Sequence, residues 1–242
     1  MSSGYLFPVS LALLGWLAFR WDVQVVVQVH GWRTSNPEWF DTLKHICDLS
    51  EAFAHGQGVF MILVGVFFID HLHRRCVLRI AVCAVFSGGL AVLIKSLIVR
   101  VRPLVFLPTY LDGGSGSTFG EWFPLLSTDM SSYEFQSFPS GHTATAVGLA
   151  TGLAWRYPQA RWYFVSLASF ASCQRLFAGA HYVSDLFFGA AIGSAVGLIC
   201  VGSGSVGLFF TRFEQSGKKA LPGIFRGRTP VASPSHDRPI EL

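Results

Sequence analysis

Long apolar runs separated by short polar stretches set the pattern of this chain. A bilayer core of about 30 Å is crossed by about 20 mostly apolar helical residues, and shorter runs bounded by polar sites also qualify. Six runs fit: Tyr5 to Phe19, Ala52 to Ile69, Cys76 to Val99, Ser140 to Trp155, Trp162 to Ala178 and Ser184 to Phe210. The last is long enough to tilt or to end in a surface turn broken by glycine. Arg20 to Glu51 reads as an amphipathic, partly helical connection, and Arg100 to Pro139 as a loop rich in Gly, Ser and aromatic residues. From Thr211 onward the Pro, Gly, Ser and basic residues read as disordered. The pattern predicts an all-α, polytopic membrane protein: six transmembrane helices bundled over residues 1–210, then a basic cytoplasmic tail over 211–242.

Composition agrees. Of 242 residues, 51% are hydrophobic and only 13% charged, with a mean hydropathy of +0.47, a membrane-protein balance. The net charge of +4 does not point to nucleic acid, because the basic residues fall in short runs between apolar segments and in the tail, where anionic headgroups are the nearer partners. Cys47, Cys76, Cys83, Cys173 and Cys200 show no CxxC spacing, and four lie in or beside apolar runs where thiols act as small hydrophobes. They imply neither zinc nor a disulfide framework. The first apolar run has no basic residue ahead of it and ends on Arg20, so it reads as a retained anchor rather than a signal peptide.

Lysine and arginine in short loops set the orientation. His71 to Arg75, Arg156 to Arg161 and the tail residues Arg212, Lys218, Lys219, Arg226 and Arg228 fall on one side of a six-span bundle. That side and both termini are expected to be cytoplasmic. The opposite, periplasmic or lumenal, side then holds the long loop with Asp112, Glu121, Asp129 and Glu134.

Three polar clusters interrupt the apolar runs, and this topology gathers them at the non-cytoplasmic face. Lys95 and Arg102 stand seven residues apart, two helical turns, so both cations are expected on one helix face that Pro103 brings to an end. Two cations on one face suit an anion; snorkelling by Lys95 and interfacial anchoring by Arg102 are the alternative. Arg100, off that face, is expected to be an interfacial anchor. Pro139-Ser140-Gly141-His142 opens the fourth run. Serine is a favoured N-cap, glycine allows close approach, and the free N–H groups of a helix start attract anions, with His142 alongside. The third cluster is Gln174-Arg175, then His181, then Asp185. His181 and Asp185 stand at i and i+4, so the carboxylate can fix one imidazole tautomer and leave the other nitrogen a free lone pair. A buried polar contact between helices is the alternative, but ionisable groups inside a membrane are costly and point to function.

Taken together, K-x6-RP, PSGH and R-x5-H-x3-D resemble the three-part signature of the type 2 phosphatidic acid phosphatase superfamily. The resemblance runs from Lys95 to Asp185. It implies a lipid phosphatase that needs no metal or other cofactor: Lys95, Arg102, Arg175, Ser140 and Gly141 bind phosphate, His181 oriented by Asp185 is the nucleophile, and His142 is the general acid and base. Gln174 departs from the family pattern, which usually has serine before this arginine. Expected substrates are membrane lipid phosphates or diphosphates: phosphatidic acid, phosphatidylglycerol phosphate, isoprenyl diphosphate or a lipid A phosphate. The expected location is a bacterial inner membrane with the site facing the periplasm. The same signature admits a vanadate-dependent haloperoxidase, whose relatives are typically soluble, and intramembrane charge also suits a non-enzymatic transporter or scaffold.

Other polar residues carry less. His55 and Gln57 are within possible reach but read as interfacial, and His71 and His73 as cytoplasmic bystanders. Gly113 to Thr118 lacks the Walker lysine pattern and reads as a linker. Phe119, Trp122, Phe123, Tyr133, Phe135 and Phe138 read either as an aromatic lid at the lipid interface or as packing.

Overall fold

The computed structural model describes residues 4–114, 116–122 and 133–216. Ten α-helices lie among them: α1 (Leu6–Ala18), α2 (Asp22–Ser35), α3 (Pro37–Asp48), α4 (Gly56–Ile69), α5 (Cys76–Lys95), α6 (Pro103–Leu111), α7 (Gly141–Arg156), α8 (Arg161–Phe177), α9 (Val183–Val201) and α10 (Ser205–Ser216). Strands β1 (Ile98–Arg100) and β2 (Phe119–Trp122) pair antiparallel. The chain is mostly helical, as its composition requires.

Each of the six apolar runs is helical, but they are not equally able to cross a bilayer. Among the described residues, α5 and α9 are long and apolar enough by themselves, and the count reaches four if the bent pairs α1–α2 (76°) and Pro37–Phe53 with α4 (62°) are single spans. With 16 and 17 residues, α7 and α8 reach only about 24–26 Å at about 1.5 Å per residue, short of a core of about 30 Å. The expected six spans are thus observed as two to four candidates by length and composition.

Three boundaries differ from expectation. Lys95 and Arg102 do not share a helix: α5 ends on Lys95, and the chain goes extended through β1 before Pro103 opens α6. The connection from Arg100 to Pro139 is accordingly not a plain loop but carries α6 and a small β-ribbon. The last run breaks at Gly202, and the separate helix α10 continues through Thr211 to Ser216, so structure extends past the expected tail boundary. Residues 217–242 lie outside the described residues, as do Phe123 and Asp129.

The core is built around α7, which packs against α5, α8 and α9, while α1 lies along α9. Small residues set these distances. A Cβ on Gly189 would stand 2.5 Å from the Ser140 carbonyl oxygen, and one on Gly193 would stand 2.5 Å from that of Ala144, so α9 can touch the backbone of α7 only with glycine at both places. Because α5 and α8 run towards the end of the bundle from which α7 and α9 start, the C-termini of one pair meet the N-termini of the other. That junction is where the polar clusters meet.

Candidate active site

Ser140 caps α7 as its residue type predicts: its hydroxyl accepts from the Thr143 N–H at 3.3 Å and from the Thr143 hydroxyl at 3.0 Å. Its own N–H donates to the Asp185 carbonyl at 3.0 Å, which pins the start of α7 to the start of α9. Gly141 and His142 occupy the first turn of α7, and the His142 ring lies 6.1 Å from that of His55. His55 is exposed, so it stands beside the site while keeping the solvent contact expected of an interfacial residue.

His181 sits in the link between α8 and α9, 1% exposed. Gly179, at φ 65°, supplies the left-handed residue that ends α8, a role glycine takes without steric cost, and the chain turns back so that the Ala180 N–H donates to the Arg175 carbonyl at 3.0 Å. His181 Nδ1 lies 3.6 Å from Asp185 Oδ2, just beyond hydrogen-bond length. The reason is that His181 precedes α9 rather than sharing it. Asp185 Oδ2 instead accepts from the Ser137 hydroxyl at 2.6 Å and the Tyr182 N–H at 2.8 Å. Burial, opposed by Asp185 and aided by Lys95 and Arg102, pushes the His181 imidazole down to about 4, so it is neutral at pH 7 with a lone pair available.

The cations stand around this pair. Lys95 is within electrostatic reach of Arg102, Arg175 and Asp185, and its amine has no hydrogen-bond partner among the described residues. Arg102, 5% exposed, is hydrogen-bonded to carbonyls: Nε donates to Tyr133 at 2.8 Å, and Nη1 and Nη2 to Ala180 at 3.1 Å and Gln136 at 3.2 Å, with the Tyr133 ring 3.6 Å from the guanidinium. Carbonyls orient a guanidinium without cancelling its charge. Arg175 is held differently. Its Nε donates to Gln174 Oε1, its Nη2 pairs with Glu51 at 2.7 Å, and the Gln174 amide donates to Asp48 at 2.9 Å. The residue that departs from the family pattern is thus a link between Arg175 and α3.

Arg100 overturns its expected role. It is no interfacial anchor but a fully buried group, 1% exposed. Its guanidinium pairs with Asp185 Oδ1 and Asp22 Oδ2 and donates to the Ser184 hydroxyl at 2.8 Å. The rings of Tyr182 and Phe119 cover it at 4.1 and 4.5 Å. Phe119 and Phe138 also meet Phe19 and each other, and Phe138 meets Phe188, so these two aromatics pack inside rather than forming a lid; the Trp122 side chain lies outside the described residues. Asp22 went unremarked in the sequence, although a lone carboxylate directly after an apolar helix is a signal of cost that asks for a partner.

All of the expected site residues therefore converge at one end of the bundle. The arrangement offers cations for an anion, a helix N-terminus, a neutral buried imidazole and a second imidazole beside it. Among the described residues no three His, Cys, Asp or Glu side chains are gathered so as to hold a metal ion.

Comparison with known proteins bears on this cluster. The lipid A 1-phosphatase of Rhizobium etli is 34% identical over 116 residues, 48% of this chain and 44% of that protein. That of Rhizobium johnstonii is 36% identical over 115 residues, 48% and 42% of the two chains. The chain thus spans somewhat less than half the length of these curated relatives. A crystal structure of Aquifex aeolicus LpxE superposes with a TM-score of 0.49 at 22% identity, over 74% of this chain and 94% of that one. The family model described as the PAP2 superfamily matches residues 77–205, from the second residue of α5 to the first of α10, a stretch that holds Lys95, Arg102, Ser140, His142, Arg175, His181 and Asp185. On that match the chain belongs to the PAP2 superfamily.

Proposed function

We propose that this protein hydrolyses a phosphate ester or diphosphate of a membrane lipid through a phosphohistidine on His181. The observation that carries the reading is the convergence of Lys95, Arg102 and Arg175 on a buried, neutral His181 beside the N-terminus of α7. Three cations in a site of low dielectric stabilise charge that grows on the phosphoryl oxygens in the transition state, and the α7 N-terminus, with Ser140 and Gly141, adds free N–H groups. Since Nδ1 faces Asp185, Nε2 is the attacking nitrogen. Its lone pair bonds to phosphorus as the bond to the lipid oxygen breaks, and His142, which enters the cycle as the imidazolium that the bound phosphate's negative charge favours, gives that oxygen a proton. His142 then takes a proton from water, the water oxygen attacks phosphorus, the P–N bond breaks, and phosphate leaves with His181 restored.

The substrate class favoured is a bacterial envelope lipid phosphate. The names of the Rhizobium relatives put lipid A carrying a 1-phosphate first, ahead of isoprenyl diphosphate, phosphatidylglycerol phosphate and phosphatidic acid. For the topology, we take all six apolar helices as crossing the membrane, with the bent partners α2 and α3 completing the two shortest spans. The polar residues at the far end, His71 to Arg75 and Arg156 to Arg161, then face the cytoplasm and the site faces the periplasm.

The test is phosphate release by the detergent-solubilised protein from these four lipids with EDTA present and His181→Ala as control. Release that survives EDTA and disappears with His181 supports the reading. Halide oxidation on adding vanadate, with no release from any lipid, would replace it with the haloperoxidase reading.

A further inference from the structure

Arg100, as fully buried as Arg79 at the other end, is placed where it does not serve phosphate. Its Nη1 is used by Asp185 and Ser184 and its Nη2 by Asp22. Aromatic rings cover it. It approaches Asp185 at Oδ1, whereas His181 approaches Oδ2, so Arg100 and His181 address opposite oxygens of one carboxylate. Beyond Arg100, Asp22 closes the chain: Oδ1 accepts the Ser184 N–H at 3.0 Å and Oδ2 accepts the Ser184 hydroxyl. Asp22 therefore caps the first turn of α9 from a different helix, where a carboxylate is favoured by the free N–H groups and the helix dipole. Asp22, Arg100 and Asp185 are 2%, 1% and 0% exposed.

Such burial is costly unless every charge is paired. Asp185 alone, in apolar surroundings, would be driven to the neutral acid, and a neutral acid is a poor partner for an imidazole that gains positive character as it bonds to phosphorus. Arg100 alone against Asp185 would neutralise it outright. Asp22 on the far side takes part of the guanidinium and leaves the trio with a net negative charge.

We propose that Arg100 and Asp22 are positioning residues, which fix the Asp185 carboxylate against His181 through the buried chain Asp22–Arg100–Asp185. The inference rests on the reading of His181 as the nucleophile. Both residues act through Asp185 and touch neither substrate nor the reacting atoms.

The test has two arms. The first is steady-state kinetics of Arg100→Lys, Asp22→Asn and the double variant in the full-length detergent-solubilised protein, on whichever lipid the wild type turns over. Losing a partner that orients a catalytic group costs about 10–100-fold, so kcat should fall about 100-fold in Arg100→Lys and about tenfold in Asp22→Asn, with KM within about threefold, since the phosphate cations are untouched. The double variant should fall no further than Arg100→Lys, because Asp22 acts through Arg100. The second arm is nitrogen NMR of the histidine-labelled protein, with the His181 signal assigned by its loss in His181→Ala. Wild type should show Nδ1 protonated and Nε2 bare, and the variants a mixture of the two tautomers. A wild type without His181-dependent turnover would defeat the catalytic reading while the tautomer still reports on positioning. Unchanged kcat with an unchanged His181 signal in Asp22→Asn, whose fold is checked by circular dichroism, would overturn the inference, as would fully additive losses in the double variant.

Discussion

Both ends of this bundle bury charge, and they treat it differently. At the end away from the site, charges meet opposite charges. Asp70 pairs with Arg156, accepts from the Tyr157 hydroxyl at 3.2 Å and lies 3.0 Å from His73 Nδ1. Arg79, buried inside α5, reaches Glu214 of α10 at 2.9 Å and rests against Trp155 at 4.3 Å. At the site end, Arg100 takes both buried carboxylates for itself. Arg102 has carbonyls and the face of the Tyr133 ring, Lys95 has no hydrogen-bond partner among the described residues, and Arg175 meets the half-open Glu51. The difference teaches how to tell a structural charge from a working one: cations locked to buried carboxylates hold helices together, whereas cations held by dipoles, or like Arg175 by a carboxylate that stays 40% exposed, keep charge for a ligand that arrives.

The largest test of that distinction is His181→Ala. It should lower turnover by at least about a thousandfold, since removing a nucleophile leaves only what the remaining electrostatics provide. Rapid quench should at the same time show no acid-labile phosphoenzyme. An active variant would return the site end to the status of the far end, a set of buried charges without chemistry.

A second test uses pH. Burial holds His181 down at about 4, below its ordinary value near 6.5, so the neutral form survives to lower pH. At pH 5.5 an ordinary histidine would be only about one-tenth neutral, whereas this one stays almost wholly neutral, and kcat/KM should be about tenfold higher than an ordinary histidine allows. An acid limb centred near 6.5 would contradict the placement. The same shift works against the fold: as pH falls from about 6.5 towards 4 the unfolded chain takes up the proton first, so stability declines over that window.

Much of the site was legible because its signals are local. Ser140 announces an N-cap by its type and caps one, and the i, i+4 spacing placed His181 beside Asp185. Where the reasoning assumed a continuous helix it failed. Lys95 and Arg102 converge, though across a strand and a turn rather than along one face, and the His181–Asp185 approach stays at 3.6 Å because only Asp185 is in α9. The pairing of Asp22 with Arg100 was beyond the sequence for another reason. It depends on the 76° bend between α1 and α2 and on a β-ribbon that turns Arg100 inward, and neither leaves a periodic trace. Helix lengths were read too generously as well: α5 stops at Lys95 rather than Val99, and the last run divides at Gly202.

A smaller effect is expected at Gln174. The amide holds Arg175 from one side and Asp48 from the other, so Gln174→Ser gives the residue usual in the family and cuts the link to α3. Arg175 then keeps Glu51 as its partner, a pair whose carboxylate is 40% exposed and so contributes little. We expect KM to rise about two- to fivefold with kcat within about twofold. A fall in kcat without a change in KM would mean that Gln174 serves the chemical step rather than the seating of the phosphate cation.

The smallest effect on activity, and the counterpart of the first, is expected from Asp70→Asn at the far end. Burial works against the Asp70 carboxyl, yet His73, Arg156 and Tyr157 together hold it below the usual carboxylate range. A lowered carboxylate contributes stability that is present at neutral pH and is lost as pH falls through its folded value, below about 3.9. At pH 7 the amide should therefore cost about 1–2 kcal/mol, because the Arg156 pair is partly exposed and screened, and thermal unfolding in detergent should begin a few degrees lower. Turnover at 25 °C should stay within twofold of wild type. The stability gap between the two proteins should narrow as the pH is lowered towards 3, since the wild-type carboxyl is then losing its charge as well. A loss of turnover larger than the loss of folded protein would show that the two ends communicate, and the division between structural and working charges would have to be redrawn.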